Sequence, residues 1–535
     1  MKIVIAEKIS SAAIAVFKQE AGWNVVTPDQ ITGAVTDHLS DADALVVRSA
    51  VKVTAALLEQ APKLRVIGRA GVGVDNVDAD ASTRKGIVVM NTPGGNAVAV
   101  AEHTILLMLS MARSISKADT TTRGGKWEKK SLQGVELRNK TLGIIGLGRI
   151  GLEVAKRAKS FEMKVVAYDP FVSPAVARDH GIELAELDGV YTAADYLSLH
   201  VGLTPQTNGM INADSIKKMK KGVRLVNCAR GELIDEAALA EALKSGHVAG
   251  AALDVFRVEP PKESALLGIE TVVATPHIAG STNEAQDAVG VQIALQVKEY
   301  LKNGVIQNAV NIPSLTHEEY ELVHPYITLS EKLGAFLAQI SDGNLEEISI
   351  TYSGRIADAK TELIRNSAIK GVLSGHGADA VNLVNAAALA KQRGIQVVEK
   401  SNAGATPAAG SVITVSLKTN QGTNTAKGGV LHGHSSRLLH LDGIDVEAPL
   451  AHNLIYFRNR DVPGVIGRIG TVLGESGVNI ANFSLGRLEA TNGAKADSGG
   501  NAIAVVQVDQ AVPSALLEKL RKLEAVVTAK SATLS

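Results

Sequence analysis

Three glycines at G-x-G-x-x-G spacing, Gly146, Gly148 and Gly151, constrain this chain more than any other feature. They follow the apolar run Leu142-Gly143-Ile144-Ile145, which reads as a buried strand, and they open a helical pattern over residues 152–161. In that setting the first glycine makes a tight turn, the second lets backbone approach a pyrophosphate, and the third lets helix pack on strand. The helix N-terminus then offers free N–H groups and a positive dipole end to phosphate. Alone the spacing is a weak signal, because a glycine-rich turn without a ligand carries it too. A second apolar strand, residues 164–168, sharpens it. That strand ends in Asp169, near the ~20-residue offset at which an acid accepts from the ribose hydroxyls. A carboxylate there would repel a 2′-phosphate, so the cofactor expected is NAD, not NADP.

A chain of 535 residues exceeds one ordinary domain, so several are expected. Only 3% of residues are aromatic, so Ala, Val, Leu and Ile must fill the cores. Lys+Arg and Asp+Glu are both 55, which leaves no electrostatic footprint for nucleic acid or an anionic membrane. Neither is expected as a partner. The single cysteine, Cys228, allows no intrachain disulfide, and a reducing, cytoplasmic setting is expected. The opening Met1-Lys2-Ile3-Val4-Ile5 enters a strand directly and lacks a signal-peptide layout; no apolar run reaches the length of a membrane span.

Upstream of the glycines, short apolar strands are expected over residues 2–7, 44–49, 65–69 and 86–91, with helical segments between them. That alternation predicts a parallel α/β lobe. Ligands of such sheets sit beyond the carboxyl ends of the strands, which puts Arg48, Ser49, Gly71, Val72 and Asn76 at a crevice. Residues 96–113 read as a long helix joining two lobes, and residues 123–134, with Trp127, Lys129 and Lys130, as an arm or partner contact. The second lobe continues with strands over 196–201, 224–229, 249–255 and 271–274, ending at His200, Arg230, residues 254–259 and Pro276-His277. A helix over 284–302 would carry the chain back to the first lobe. From about residue 317 the character changes. A helix over 328–339 and strands over 347–352, 397–401, 412–417 and 427–441 suggest a mixed α/β unit, with a loop over 401–410. The tail reads as strand 453–459, helix 465–476, strand 478–488, a hairpin over 491–500, strand 502–509, helix 513–523 and strand 525–530. This βαββαβ order is ferredoxin-like.

His277 is a candidate general base, since its ordinary pKa lies near neutrality. Glu259 is its candidate orienter: a carboxylate on the distal imidazole nitrogen fixes the tautomer and stabilises the imidazolium. Arg230 offers a planar fork for a carboxylate and its neighbouring carbonyl. Oxidation of a 2-hydroxy acid by a nicotinamide needs these three functions. A lone His or Arg at a strand end is more often structural, and the weight here lies in their joint placement after a dinucleotide motif. The residues expected to line the cofactor are Gly146, Gly148, Arg149, Ile150, Gly151, Asp169, His200, Cys228, Ala229, Arg230, Asp254, His277 and Gly280. Cys228 reads as a small buried hydrophobe and not a nucleophile.

Gly68-Arg69-Ala70-Gly71-Val72-Gly73-Val74-Asp75-Asn76-Val77-Asp78 resembles the D-2-hydroxyacid dehydrogenase family. So do the Gly146 motif, Asn227-Cys228-Ala229-Arg230-Gly231, Asp254-Val255-Phe256-Arg257-Val258-Glu259-Pro260-Pro261 and Thr275-Pro276-His277-Ile278-Ala279-Gly280. The resemblance spans residues 1 to about 312. It implies two Rossmann-like lobes with the active site between them, Arg230 as substrate anchor, Glu259 as orienter and His277 as acid and base. Trp127 with the basic residues after it, Val46-Val47-Arg48-Ser49 and the overall length resemble the long-form members that act on D-3-phosphoglycerate. In those, Lys129 would reach a neighbouring subunit's substrate phosphate, and Arg48 or Arg69 would help locally. The tail, with Asp461-Val462-Pro463-Gly464-Val465 and Gly477-Val478-Asn479-Ile480, resembles an ACT regulatory domain. Such domains pair across subunits and bind L-serine, which makes a homo-oligomer (dimer or tetramer) the expectation. Asn459, Asp461 and Asn479 fall at the matching ligand positions, although serine-sensitive members commonly carry His and Asn where this chain has Asn459 and Asp461.

The expected domains are a flavodoxin-like substrate-binding lobe, 1–98 completed by 284–312; an NAD-binding Rossmann lobe, 99–283; an α+β intervening domain, 313–450; and an ACT domain, 451–535. In the intervening domain Lys427, His432, His434 and Arg437 would form either an anion site or a solvated basic loop, and no acidic or thiol partner completes a metal site there. Two alternatives stay open. A glyoxylate, hydroxypyruvate or 2-hydroxyglutarate reductase would share every catalytic residue but has no use for a regulatory tail. An NAD-sensing scaffold would need no acid–base pair.

Overall fold

A computed structural model describes residues 1–313, 315, 317–375, 381–402, 410–487 and 500–534. The first sheet contains β1 (Lys2–Ile5), β2 (Asn24–Val26), β3 (Ala44–Val47), β4 (Val66–Arg69) and β5 (Val88–Met90), all parallel in the order β2-β1-β3-β4-β5. The second contains β6 (Thr141–Ile145), β7 (Lys164–Tyr168), β8 (Glu183–Leu184), β9 (Tyr196–Leu199), β10 (Val223–Asn227), β11 (Val248–Leu253) and β12 (Val272–Ala274). Its order, β12-β11-β10-β9-β6-β7-β8, is again wholly parallel. The central strands β3 and β9 are four residues long and buried at every position. Helices on both faces cover such a sheet, which is why its strands read as continuous apolar runs.

Strand order reverses beside β6, and the crevice at that switch point lies beyond the strands' carboxyl ends. The helix Ala97–Arg113 leaves the first lobe and packs on the second. The helix Asn283–Asn303 returns, burying Val289, Ile293, Val297 and Leu301 against the first lobe at four-residue spacing. Glu20 receives both Lys298 and Lys302 from it, at 2.6 and 2.8 Å.

The third sheet holds β13 (Leu345–Ser353), β14 (Gln396–Asn402), β15 (Val412–Thr419), β16 (Gly422–Leu431), β17 (Ser435–Leu441) and β18 (Ile444–Pro449), in the order β14-β13-β15-β16-β17-β18. Only β13–β14 is parallel. The stretch expected as strand over 427–441 is two strands turned at residues 432–434, and β18 was not anticipated. The helix expected at 328–339 runs His317–Ile340, straight through Pro325. A proline in a helix costs roughly 3 kcal/mol. Burial of Leu329, Leu333, Phe336, Leu337 and Ile340, at roughly 1.5–3 kcal/mol each, outweighs it. Its partner helix Glu362–Gly375 and the short helix Ala386–Gln392 also escaped the sequence reading; the apolar positions of the first are broken by polar residues that bond inward, Asn366 and Ser367, and the second is only seven residues long.

The fourth sheet is antiparallel: β19 (His452–Arg460), β20 (Ile480–Arg487), β21 (Asn501–Val508) and β22 (Val526–Leu534), in the order β20-β21-β19-β22. With the helices Val465–Glu475 and Ser514–Arg521 it is the expected βαββαβ unit. The helices cover one face. The other, through Leu454, Tyr456, Ile503, Val505 and Leu534, joins one core with the helix His317–Ile340 and the third sheet. Most of the loop expected at 401–410, most of the hairpin at 491–500 and the last residue of the strand at 478–488 lie outside the described residues.

Candidate active site

The glycine motif makes a turn that no other residue fits. Gly146 has φ +95°, and a Cβ there would lie 2.7 Å from the His200 carbonyl; a Cβ on Gly151 would meet the Gly146 oxygen at 2.1 Å. Gly148 faces open space and caps the helix Arg149–Ser160. A turn of this shape at a helix N-terminus can cradle a phosphate. Asp169 stands at the end of β7, half-buried. Its Oδ2 accepts from the Leu147 amide at 2.8 Å and its Oδ1 from the Phe171 amide at 2.8 Å. The acid is therefore fixed to the glycine turn. Open space at Gly148, the helix end and this carboxylate together fit a dinucleotide.

Arg230 follows β10. The fully buried Asn227 holds the turn by donating to the Arg230 carbonyl at 2.7 Å and accepting from the Ala229 amide at 3.0 Å. The Arg230 guanidinium then crosses to the first lobe, where Nε and Nη2 both lie 3.0 Å from Asp75 Oδ2. Gly73 makes room for it: a Cβ there would sit 1.8 Å from Nη2. Sequence reasoning missed Asp75, although it lies inside the run that carried the family resemblance.

His277 follows β12. Its Nδ1 lies 2.8 Å from Glu259 Oε2, and Glu259 Oε1 accepts from the Phe256 amide at 3.1 Å. The ring is half-exposed and its Nε2 is left for a ligand. His277 also has φ +55°, a left-handed conformation costing about 1–3 kcal/mol outside glycine. Asp254, expected at the cofactor, is instead fully buried beneath this loop. It takes the Thr275 hydroxyl at 2.6 Å and the Ile278 and Ala279 amides at 2.9 and 2.8 Å.

The first lobe adds cations. Arg69 ends β4 with its Nε buried and unpartnered. Burial, then the field of Arg230, lowers its pKa; Asp75 and Glu7 oppose the shift in part, and Arg48 adds to it. Three guanidinium groups thus repel one another at the crevice, which is the electrostatic condition for binding an anion. Glu7 partly offsets that field and is itself fixed in place, its oxygens accepting the amides of Arg48, Ala50 and Val51. Asn76, expected on the ligand, spends its amide on the carbonyls of Arg48 and Val51. Val72 accepts from Asn91, Gly71 accepts the Thr92 amide and is buried, and Ser49 is exposed.

Other expected residues divide. His200 bonds Ser198 at 2.8 Å and is pushed down to about 4 by desolvation, so its imidazole is neutral at pH 7. Burial pushes the Cys228 thiol up to about 12, so it is no nucleophile. Arg149 and Ile150 open the cradle helix, and Gly280 packs against Asn96 at the lobe junction. Lys129 and Trp127 are exposed. In the fourth sheet Asn459 is buried with Oδ1 unpartnered, Asp461 pairs with Arg487 at 3.2 Å, and Asn479 is exposed and donates to Asp509 at 2.7 Å.

Comparison with known proteins agrees with this anatomy. Residues 105–279 match the D-isomer specific 2-hydroxyacid dehydrogenase NAD binding domain, 322–442 the D-3-phosphoglycerate dehydrogenase intervening domain, and 453–525 the ACT domain. The chain is 40% identical over 524 residues to the D-3-phosphoglycerate dehydrogenase of Methanocaldococcus jannaschii, covering 98% of each chain. It is 41% identical over 531 residues to that of Archaeoglobus fulgidus, covering 99% of each. Among solved structures, the NAD-dependent formate dehydrogenase of Staphylococcus aureus in complex with NAD aligns at TM-score 0.52 and 29% identity, over 59% of this chain and 100% of that one. With relatives this similar over nearly their full length, the chain belongs to the D-3-phosphoglycerate dehydrogenase family.

Proposed function

We propose that this enzyme oxidises D-3-phosphoglycerate to 3-phosphohydroxypyruvate, the first step of the phosphorylated route to L-serine. Bound NAD supplies the hydride acceptor. The observation that carries the reading is the His277–Glu259 pair at one wall of a crevice whose other wall holds Arg69 and Arg48, with Arg230 between. Arg230 holds the substrate carboxylate and polarises the oxygen beside it. His277 Nε2 takes the hydroxyl proton as hydride leaves the same carbon, and Glu259 on Nδ1 stabilises the imidazolium that forms. Arg48 and Arg69 hold the phosphate, joined by Lys129 of a neighbouring subunit across the exposed arm. Supporting the last point, Trp127 is 84% exposed, an unusual state for a tryptophan without a partner.

The enzyme is a cytoplasmic homo-oligomer on this reading; among the described residues no single helix is long and apolar enough to cross a membrane. L-Serine binds at Asp461 and Asn479, with the orphaned Asn459 Oδ1 as a further acceptor. Steady-state assays with D-3-phosphoglycerate and NAD, with and without L-serine, test the proposal. Turnover of glyoxylate in the absence of turnover of the phosphorylated substrate would overturn it. His277→Ala should abolish turnover and leave NAD affinity nearly unchanged.

A further inference from the structure

One histidine beside the site has no part in the chemistry above. His103 lies in the helix Ala97–Arg113, its side chain 12% exposed. Its Nε2 is 3.1 Å from Thr275 Oγ1 and 3.5 Å from Asp254 Oδ1. The protons in this group can be assigned by donor capacity. An ionised carboxylate only accepts, and a threonine hydroxyl has one hydrogen. Thr275 spends that hydrogen on Asp254 Oδ1 at 2.6 Å. Its oxygen must therefore accept from His103, so Nε2 carries a hydrogen. The chain of donors runs from His103 through Thr275 to Asp254.

Asp254 is where that chain meets catalysis. Burial raises its pKa, and hydrogen bonds from His103, Thr275 and two amides outweigh burial and keep it ionised. The Asp254 carbonyl accepts the His277 amide at 2.8 Å, and its two carboxylate oxygens accept the next two amides, Ile278 and Ala279. Three successive amides are thus fastened to one residue. The left-handed conformation of His277 persists only because its surroundings over-determine it. The other titratable groups nearby are few. Glu102 points away, to Arg157; Cys228 lies against Thr104; His277 and Glu259 close the loop.

We propose that His103 is a positioning residue for the acid–base step: it holds the Thr275 hydroxyl on Asp254, and Asp254 holds the backbone that sets the His277 ring on Glu259. The inference rests on His277 being the acid–base group. It also links the helix that joins the two lobes to the catalytic loop, through side chains rather than through sequence neighbours.

The test compares His103→Phe, His103→Gln and Thr275→Val in the full-length enzyme. A displacement of about 1 Å at a reacting group costs on the order of a hundredfold. His103→Phe should therefore lower kcat by roughly ten- to a hundredfold, with the Kd for NAD and the KM for D-3-phosphoglycerate within about threefold of the parent. The acid limb of its kcat–pH profile should move. In the enzyme without substrate or cofactor, amide hydrogen exchange at residues 277–279 should accelerate. His103→Gln, whose Nε2 can donate in the same place, should restore kcat, pH profile and exchange. Thr275→Val should match His103→Phe, and the double variant should be no worse than the worse single one. Folded His103→Phe with the parent's kcat and exchange, or His103→Gln as impaired as His103→Phe, would overturn the proposal. If His103→Phe does not fold, Thr275→Val with parental kcat overturns it instead. His277→Ala, run alongside, separates the two claims: retained turnover there refutes the acid–base reading, while exchange at 277–279 in His103→Phe still judges the brace.

Discussion

Gly73→Ala adds one methyl group to a loop of the first lobe, and the structure fixes what that methyl meets. Its Cβ would lie 1.8 Å from Arg230 Nη2, 3.0 Å from Cζ and 2.8 Å from Asp75 Oδ2. Ordinary contact begins at 3.4 Å, so Nη2 must retreat by 3.4 − 1.8 = 1.6 Å. The atoms in the way are the ends of two mobile side chains, and Gly73 does not have a positive φ. The fold should hardly notice, with a stability change within roughly 0.5 kcal/mol. The substrate anchor should notice a great deal. A retreat of 1.6 Å breaks both 3.0 Å contacts with Asp75 and takes the guanidinium off the crevice axis. Misplacement on that scale costs about a hundredfold, or about 2.7 kcal/mol of transition-state stabilisation. Steady-state kinetics should show kcat/KM for D-3-phosphoglycerate down by about that factor. Calorimetric titration should show NAD affinity unchanged, because Gly73 lies on the lobe opposite the cradle, and thermal melts should superimpose. A kcat/KM within about threefold of the parent would refute the claim that Arg230 must occupy this position. An equal loss of NAD affinity would show that the damage is not confined to the anchor.

Three further outcomes follow from the geometry. Asp169→Ala removes the acceptor for the ribose and also the partner of the Leu147 amide, so KM for NAD should rise roughly ten- to a hundredfold and the preference over NADP should shrink; unchanged discrimination in competition assays would refute it. Asp254 has a folded pKa below its ordinary value of 3.8, so its contribution to stability is complete above that pH and is lost as pH falls through the lower folded value. Melting temperature followed from pH 5 downward should show that loss, and Asp254→Asn should lack it. Asn479→Ala should abolish any inhibition by L-serine; inhibition that survives the substitution moves the effector elsewhere.

The parts of the site legible in the sequence are those that the chain encodes locally. Gly146 to Gly151 and Asp169 sit on one βαβ unit, where turn, helix end and strand end occur within about 20 residues. Arg230, Glu259 and His277 were legible because each lies in the loop that follows an apolar strand, and parallel strands deliver their carboxyl ends to one place. Contacts between remote segments were not legible. Nothing local tells that Asp75 meets Arg230, that Glu7 braces the loop of Arg48, or that Asp254, expected at the cofactor, is buried beneath the His277 loop. The same holds for the fold. Apolar runs separated by the Asp461-Val462-Pro463-Gly464 turn and two helical patterns exposed the ACT unit, whereas the helix Glu362–Gly375 hid because Asn366 and Ser367 interrupt its apolar face and donate to carbonyls of remote segments.

Charge decides which 2-hydroxy acid the crevice suits. Arg48, Arg69 and Arg230 bring three positive charges, and the carboxylates that face them are Asp75 and Glu7. Asp75 and Glu7 offset part of the field on Arg69, but Asp75 is bonded to Arg230 and the Glu7 oxygens to three backbone amides, so the Arg69 Nε is left without a hydrogen-bond partner. A buried, unpartnered guanidinium nitrogen costs free energy in the empty enzyme, and the repulsion among the three groups adds to that cost. A ligand with one carboxylate can satisfy Arg230 but leaves Arg69 as it was. A ligand with a carboxylate at one end and a phosphate at the other discharges both, and phosphate offers the planar fork of arginine two oxygens at once. The three cations of the crevice therefore favour a phosphorylated hydroxy acid over lactate or glyoxylate, because only a second anionic group engages Arg69 while the carboxylate is held by Arg230.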